Sequence, residues 1–255
     1  MTTTMTLPNV TDVATIPKLG HSEAMVLAEN EFARTLDLLR ELSPDDWRRQ
    51  TVCELWDARA MVAHMLGMAE AQASFLQFLH DFRAANKRTG GAMIDAMTQT
   101  QVRERADLSP SQLIERFAAI APRAVRARRR VPGPVRSAVR LRQDPPFHAE
   151  RWQYGYLVDT IFTRDPWVHR LDISRAVDRT MVLTPGHDGR LIADVVADWA
   201  RRHGKPFSLV LTGPAGGCWR AGTDGEHIEI DALDFCWTLA GRLPGSGLLS
   251  TPVPF

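Results

Sequence analysis

The stretch RDPWVHRLDISRA, Arg164 to Ala176, carries a carboxylate at Asp165, an imidazole at His169 and a second carboxylate at Asp172. Spacings of four and three residues put these side chains on one side of a helix. Two kinds of chemistry fit that pattern. One is a surface ion-pair network around an exposed helix. The other is an incomplete metal site, because a catalytic zinc or other divalent ion takes three protein ligands and keeps a fourth position open. Asp165 and His169 then require one more ligand from another helix, and His64 is the best candidate. It sits in WDARAMVAHMLGMAEAQASFLQFLHDF on a face shared with Ala60, Gly67 and Ala71, where a polar ring needs a reason. Asp172 is placed to accept the other ring N–H of His169 from behind the site. Pro166 complicates the geometry, since a proline disfavours helical backbone in the residue before it. Asp165 therefore reads as the N-cap of a helix starting at Pro166, with the preceding segment a separate helical piece.

These residues need elements to hold them, and helical periodicity dominates the first two thirds of the chain. Met25, Ala28, Phe32, Leu36 and Leu39 form one apolar stripe in a helix for which Ser22 is the expected cap. SPDDW, from Ser43, reads as a further helix start. Asp57 caps one long helix reaching Phe82. Ser109 caps another, with Leu113, Phe117, Ile120 and Ala124 inward and a bend expected at Pro122. RWQYGYLVDTIFTRDPWVHRLDISRAV supplies the fourth. Four amphipathic helices of this length imply an antiparallel bundle. After Arg179 the texture changes. TMVLT, FSLVLTG, GCWRAG and HIEID read as strands, HDGRLIADVVADWARRHG and ALDFCWTLAGR as helices, with Asp231 capping the last. The expected organisation is α+β: a loose polar arm over 1–20, a bundle over 21–179, and a small α+β domain over 180–255.

Composition excludes several classes. The 255 residues carry a net charge of +1, with 44% hydrophobic and 24% charged residues, a profile of globular domains without a global field for nucleic acid or anionic membranes. No apolar run approaches the roughly 18 residues needed to span a bilayer. The N-terminus lacks a basic segment followed by an apolar one, so no secretory signal is read there. Cys53, Cys218 and Cys236 are too scattered for a disulfide framework or a metal knuckle, which points to free thiols and the cytoplasm. Eight arginines lie between Arg123 and Arg142 without interleaved aromatics, and they read as a solvated face rather than a nucleic-acid stripe. The expected partner is a small molecule, on a monomer or homodimer.

The segments LSPDDWRRQTVCELWDARAMVAHMLGMAE and YLVDTIFTRDPWVHRLDISRAVDR closely resemble the maleylpyruvate isomerase family of mycothiol-dependent enzymes, within the DinB/YfiT-like superfamily. The tail LTGPAGGCWRAGTDGEHIEIDALDFCWTLAGR looks like that family's C-terminal, sterol-carrier-like domain. The resemblance implies a DinB-like four-helix bundle holding a divalent metal, usually zinc, on His64, Asp165 and His169. The family's pattern has Glu where this chain has Asp165. It also implies a catalytic arginine, for which Arg242 is the matching residue, and mycothiol as thiol cofactor or co-substrate. A metal-bound thiol loses its proton near neutral pH, so a strong nucleophile exists without a protein cysteine. Addition to a conjugated acid followed by elimination gives an isomer; retention gives a thiol conjugate. The remaining histidines (His21, His80, His148, His187, His203 and His227) form no convincing Ser-His-Asp or Cys-His set, so the nucleophile comes from outside, as thiol or as water. A metal-assisted hydrolase or lyase using water, and a ligand-binding module without catalysis, are the competing readings.

Overall fold

The computed structural model describes residues 10–87, 93–143, 147 and 149–255, so His148 lies outside the described residues. The chain divides into two compact units, one spanning Gly20–Met181 and the other joining the chain up to Leu19 to Val182–Phe255.

The first unit is helical. Helix α1, His21–Glu41, starts two residues earlier than a cap at Ser22 would give, with Gly20 as cap and its N–H donated to Glu23. SPDDW yields only a 3₁₀ turn, Asp46–Arg48. Helix α2, Ala58–Ala73, is capped by Asp57, which accepts from the Ala60 N–H. The expected long helix to Phe82 breaks at Ser74, whose extended backbone and side-chain cap start α3, Phe75–Asn86. Helix α4, Met93–Glu104, has no counterpart in the sequence reading. Helix α5, Pro110–Arg129, begins with a Ser109–Gln112 capping box and continues past Pro122. A short α6, Gly133–Ala138, leads to β2, Arg140–Arg142, which pairs antiparallel with β3, Arg151–Gln153. The start of the expected fourth helix is thus a strand. The chain then passes through a widened π turn, Tyr156–Ile161, into α7, Phe162–Ala176.

Helices α1, α2, α5 and α7 pack as the four-helix bundle. Its core joins Met25, Ala28 and Phe32 of α1 to Met61, Met65 and Leu66 of α2 and to Leu113 and Phe117 of α5. Phe32 and Phe117 meet edge to face with centroids 5.5 Å apart. Between α7 and α1, the buried Arg170 guanidinium donates to both oxygens of Glu31 at 2.5 and 2.9 Å. A bidentate pair of this kind satisfies two charges that would otherwise be costly to bury.

The second unit is a four-stranded sheet with two helices. Its strand order is β1-β5-β4-β6, where β1 is Val10–Asp12, β4 Phe207–Thr212, β5 Gly217–Ala221 and β6 Glu226–Asp231. Two expectations change here. TMVLT forms no strand. The fourth strand comes instead from the segment read as a loose arm, which pairs in parallel with β5 through Val10, Thr11 and Asp12. Edge pairing satisfies backbone groups whatever the side chains are, so a polar stretch such as Val10–Asp12 shows no alternating apolar pattern in advance. Helix α8, Arg190–His203, ends at Gly204 in the left-handed conformation. Helix α9, Ala232–Leu239, is capped by Asp231. Trp199 of α8 packs against Phe207 and Phe235, and its indole N–H reaches the Leu248 carbonyl at 3.0 Å. No helix among the described residues is long and apolar enough to cross a membrane.

Candidate metal centre

His64 lies mid-way along α2, and Asp165 and His169 lie one turn apart on α7. The bundle brings these three together: one ligand-type atom from each falls within 4.8 Å of the other two. The two imidazoles meet edge-on, with centroids 5.2 Å apart. The indole of Trp56 lies tilted beside His64, centroids 5.2 Å apart. Both histidines are buried, and Asp165 keeps some contact with solvent.

Each imidazole has one nitrogen occupied from behind. His169 Nδ1 lies 3.1 Å from Asp172 Oδ2, and its Nε2 lies 3.4 Å from Asp165 Oδ1. His64 Nδ1 lies 2.9 Å from Gln101 Oε1 on α4. The Nε2 atoms are therefore the ones turned to the centre. Their electrostatics diverge. Burial is the largest influence on His64 and pushes its pKa down to about 4, so the ring is neutral at physiological pH. Burial also works against a charged His169, but the carboxylates of Asp165 and Asp172 outweigh it and raise the pKa to about 9.

The structure differs from the sequence reading at Asp165. It is not an N-cap; it lies within the first turns of α7, immediately before Pro166 inside the helix. Two features make this possible. Phe162 N–H bonds back to the Leu157 carbonyl, five residues away, which widens the turn and passes over the Val158 carbonyl. Pro166 has no N–H, so the Phe162 carbonyl loses its usual helical donor. Arg128 of α5 supplies the replacements. It donates to the Val158 carbonyl through Nε at 3.0 Å and Nη2 at 2.7 Å, to the Phe162 carbonyl at 3.0 Å, and to Thr163 Oγ1 at 2.6 Å. Asp159, within the widened turn, is held by His21 at 2.7 Å and Arg136 at 2.9 Å. Arg128 is buried, which lowers its pKa to about 9. One arginine of the expected solvated face is thus a structural donor. Its position among seven other arginines hid it, since nothing local distinguishes it.

Arg242 follows α9 in the other unit, where its guanidinium donates to the Ala240 carbonyl at 3.0 Å. Cys218 and Cys236 are buried and Cys53 is partly so, and none of the three forms a disulfide.

A family model described as the mycothiol maleylpyruvate isomerase N-terminal domain matches residues 28–174. This chain belongs to that family. The matched range of the mycothiol maleylpyruvate isomerase domain contains His64, Asp165, His169 and Asp172, as well as Gln101 and Arg128. Among solved structures, the mycothiol-dependent maleylpyruvate isomerase is similar with a TM-score of 0.56 at 16% identity, over 92% of this chain and 93% of that one. A mutant of that isomerase matches to the same extent. At that identity the likeness establishes the fold: a helical bundle with a small mixed sheet, α+β as expected. No curated protein sequence matches the chain.

Proposed function

We propose that this protein is a metal- and mycothiol-dependent isomerase or S-transferase acting on a small electrophile of the conjugated-acid type. The observation that carries the proposal is the convergence of His64, Asp165 and His169 within a bundle of the mycothiol maleylpyruvate isomerase family. Two imidazoles and one carboxylate suit zinc, which accepts borderline nitrogen and oxygen donors. The fit has a structural basis. Both rings have Nδ1 engaged, by Gln101 and by Asp172, which orients the two Nε2 atoms as ligands. When bound there, a divalent ion supplies a lowered pKa to a thiol in its remaining position.

The chain's own residues then have separate tasks. His64 enters the site already neutral, so it offers a lone pair without first releasing a proton. His169 has a proton to give up, and Asp172 holds the ring in place as it does so. Asp165 offsets charge on the solvent side. Arg242 is the family-based candidate for holding a substrate carboxylate, as a guanidinium binds one through two parallel hydrogen bonds. Substitution to methionine should raise KM for a carboxylate substrate and leave metal content intact.

The deciding experiment loads the metal-free protein with zinc and assays turnover of maleylpyruvate with and without mycothiol. Thiol-dependent turnover that is lost on chelation supports the proposal. Equal turnover without thiol transfers the function to a water-based hydrolase or lyase. Failure to bind any divalent ion removes the basis for both and leaves the ligand-binding reading.

A further inference from the structure

We propose that Asp81 and Gln101 act as positioning residues that fix the tautomer of His64, and that Gly67 is the gap through which they reach it. The significance for metal binding rests on the reading of His64 as a ligand; the hydrogen-bond relay itself does not.

The relay follows from the chemistry of its members. Asp81 on α3 is completely buried. A carboxylate only accepts, and both of its oxygens are engaged by amides: Gln77 Nε2 lies 2.7 Å from Oδ1, and Gln101 Nε2 lies 3.2 Å from Oδ2. The second hydrogen on Gln101 Nε2 points to Met68 Sδ at 3.4 Å. With both of its hydrogens assigned to acceptors, the Gln101 amide has one orientation, and Oε1 faces His64. An amide oxygen cannot donate. His64 Nδ1, 2.9 Å away, must therefore carry the hydrogen, and Nε2 must carry the lone pair. A carboxylate two residues removed from the ring thus decides which nitrogen can bind a metal.

The relay also requires that α4 approach α2 closely. Gly67 lies three residues after His64 on α2. A Cβ at that position would sit 2.6 Å from Gln101 Cβ and 2.7 Å from its Cγ, far inside any real contact. Any side chain there expels Gln101 from its place beside His64. The glycine that shares a face with His64 in the sequence thus has a physical role. Arg105, one turn after Gln101, fastens this end of α4 by donating to the Gln101 carbonyl at 2.8 Å and to Glu70 on α2 at 3.0 Å.

The test uses the whole protein in two states. Long-range proton–nitrogen NMR of the metal-free protein, with His64→Gln for assignment, reads the tautomer directly. Wild type should show a protonated Nδ1 on His64. Asp81→Asn can donate as well as accept, which frees the Gln101 amide to turn, so the His64 signals should move towards the other tautomer. Zinc affinity, measured by chelator competition, should fall roughly 10- to 100-fold in Asp81→Asn and in Gln101→Met, the range typical of groups that orient a ligand. Gly67→Ala should reproduce the loss; if it fails to fold, Asp81→Asn still decides. A wild-type His64 protonated on Nε2 would overturn the proposal, as would an unchanged tautomer and zinc affinity in both Asp81→Asn and Gln101→Met. Should wild type take no zinc yet show the Nδ1–H form and respond to Asp81→Asn, the relay stands and the metal reading fails.

Discussion

The helical unit holds two groups of metal-ligand side chains with similar proximity and very different character. His64, Asp165 and His169 form one; His80, Asp81 and Glu104, on α3 and α4, form the other. In the second group the members already satisfy one another and their neighbours. His80 Nε2 and Glu104 Oε1 are 2.7 Å apart at the surface, with the imidazole 55% exposed, and Asp81 has given both oxygens to glutamine amides. In the first group the neighbours occupy the Nδ1 atoms and leave the Nε2 atoms facing inward, in a buried setting where Asp165 and Asp172 both press on His169. Proximity of ligand-type atoms does not make a site. What matters is which lone pairs remain after the surrounding hydrogen bonds have been assigned. The two groups are also joined, because Asp81 reaches His64 through Gln101.

The comparison has testable consequences. The largest effect should come from His64→Ala and His169→Ala. Each should weaken zinc binding by more than about 100-fold, beyond the range for residues that merely orient a ligand. His80→Ala and Glu104→Ala should leave zinc affinity unchanged in the same competition titration; equal losses in both sets would erase the distinction. Next in size is Arg128→Met, which leaves the Val158 and Phe162 carbonyls without their donor at a cost of about 1–3 kcal/mol each. Chemical denaturation should report this loss, and zinc affinity should fall as Asp165 moves. Adding Pro166→Ala to that variant restores a backbone N–H for the Phe162 carbonyl and should recover ~1 kcal/mol, a coupling that a double-mutant cycle isolates.

A third consequence concerns pH and separates the two histidines of the buried group. His64 has a pKa lowered from 6.5 to about 4, so the folded state resists protonation there, and metal-free stability should decline as pH falls from about 6.5 towards 4. His169 has a pKa raised from 6.5 to about 9, so its contribution is complete below 6.5 and should be lost as pH rises through 9. Metal-free protein should therefore be most stable near the point where the two windows meet. Zinc replaces the His169 proton, so the alkaline decline should vanish in loaded protein. Denaturation series at three pH values, with and without zinc, check both arms. The smallest effect belongs to the surface pair: a double-mutant cycle on His80 and Glu104 should give about 0–1 kcal/mol and shrink with salt.

Much of the bundle was legible because its signals are local. Apolar spacing, Asp57 and Ser109 as caps, and the i, i+4 placement of Asp165 and His169 are set by helix geometry alone. The break at Ser74 was not, because α2 and α3 share a continuous apolar pattern and the cap acts only once the chain turns. Helix α4 buries Thr98, Thr100 and Gln101 beside Ala96 and Met97, so its inward face is largely polar and neither it nor Gln101 stood out. Arg128 looked like its neighbours. The edge strand at Val10–Asp12 needs a partner more than 200 residues away, Cys218 to Arg220, and no local pattern announces such a pairing.

The sequence by itself determined which residues could bind a metal and that two of them share one helix face, since residue chemistry and the helical repeat are properties of the chain. Only the tertiary structure decided that His64 joins them, which of its nitrogens faces the centre, and that Asp165 can precede a proline inside a helix. Each of those depends on groups far apart in sequence: an amide on α4 held by a carboxylate on α3, and a guanidinium on α5 replacing donors that α7 lacks. Hydrogen bonds between helices are assigned only after the helices have packed, and it is that assignment which turns three compatible side chains into a candidate metal centre.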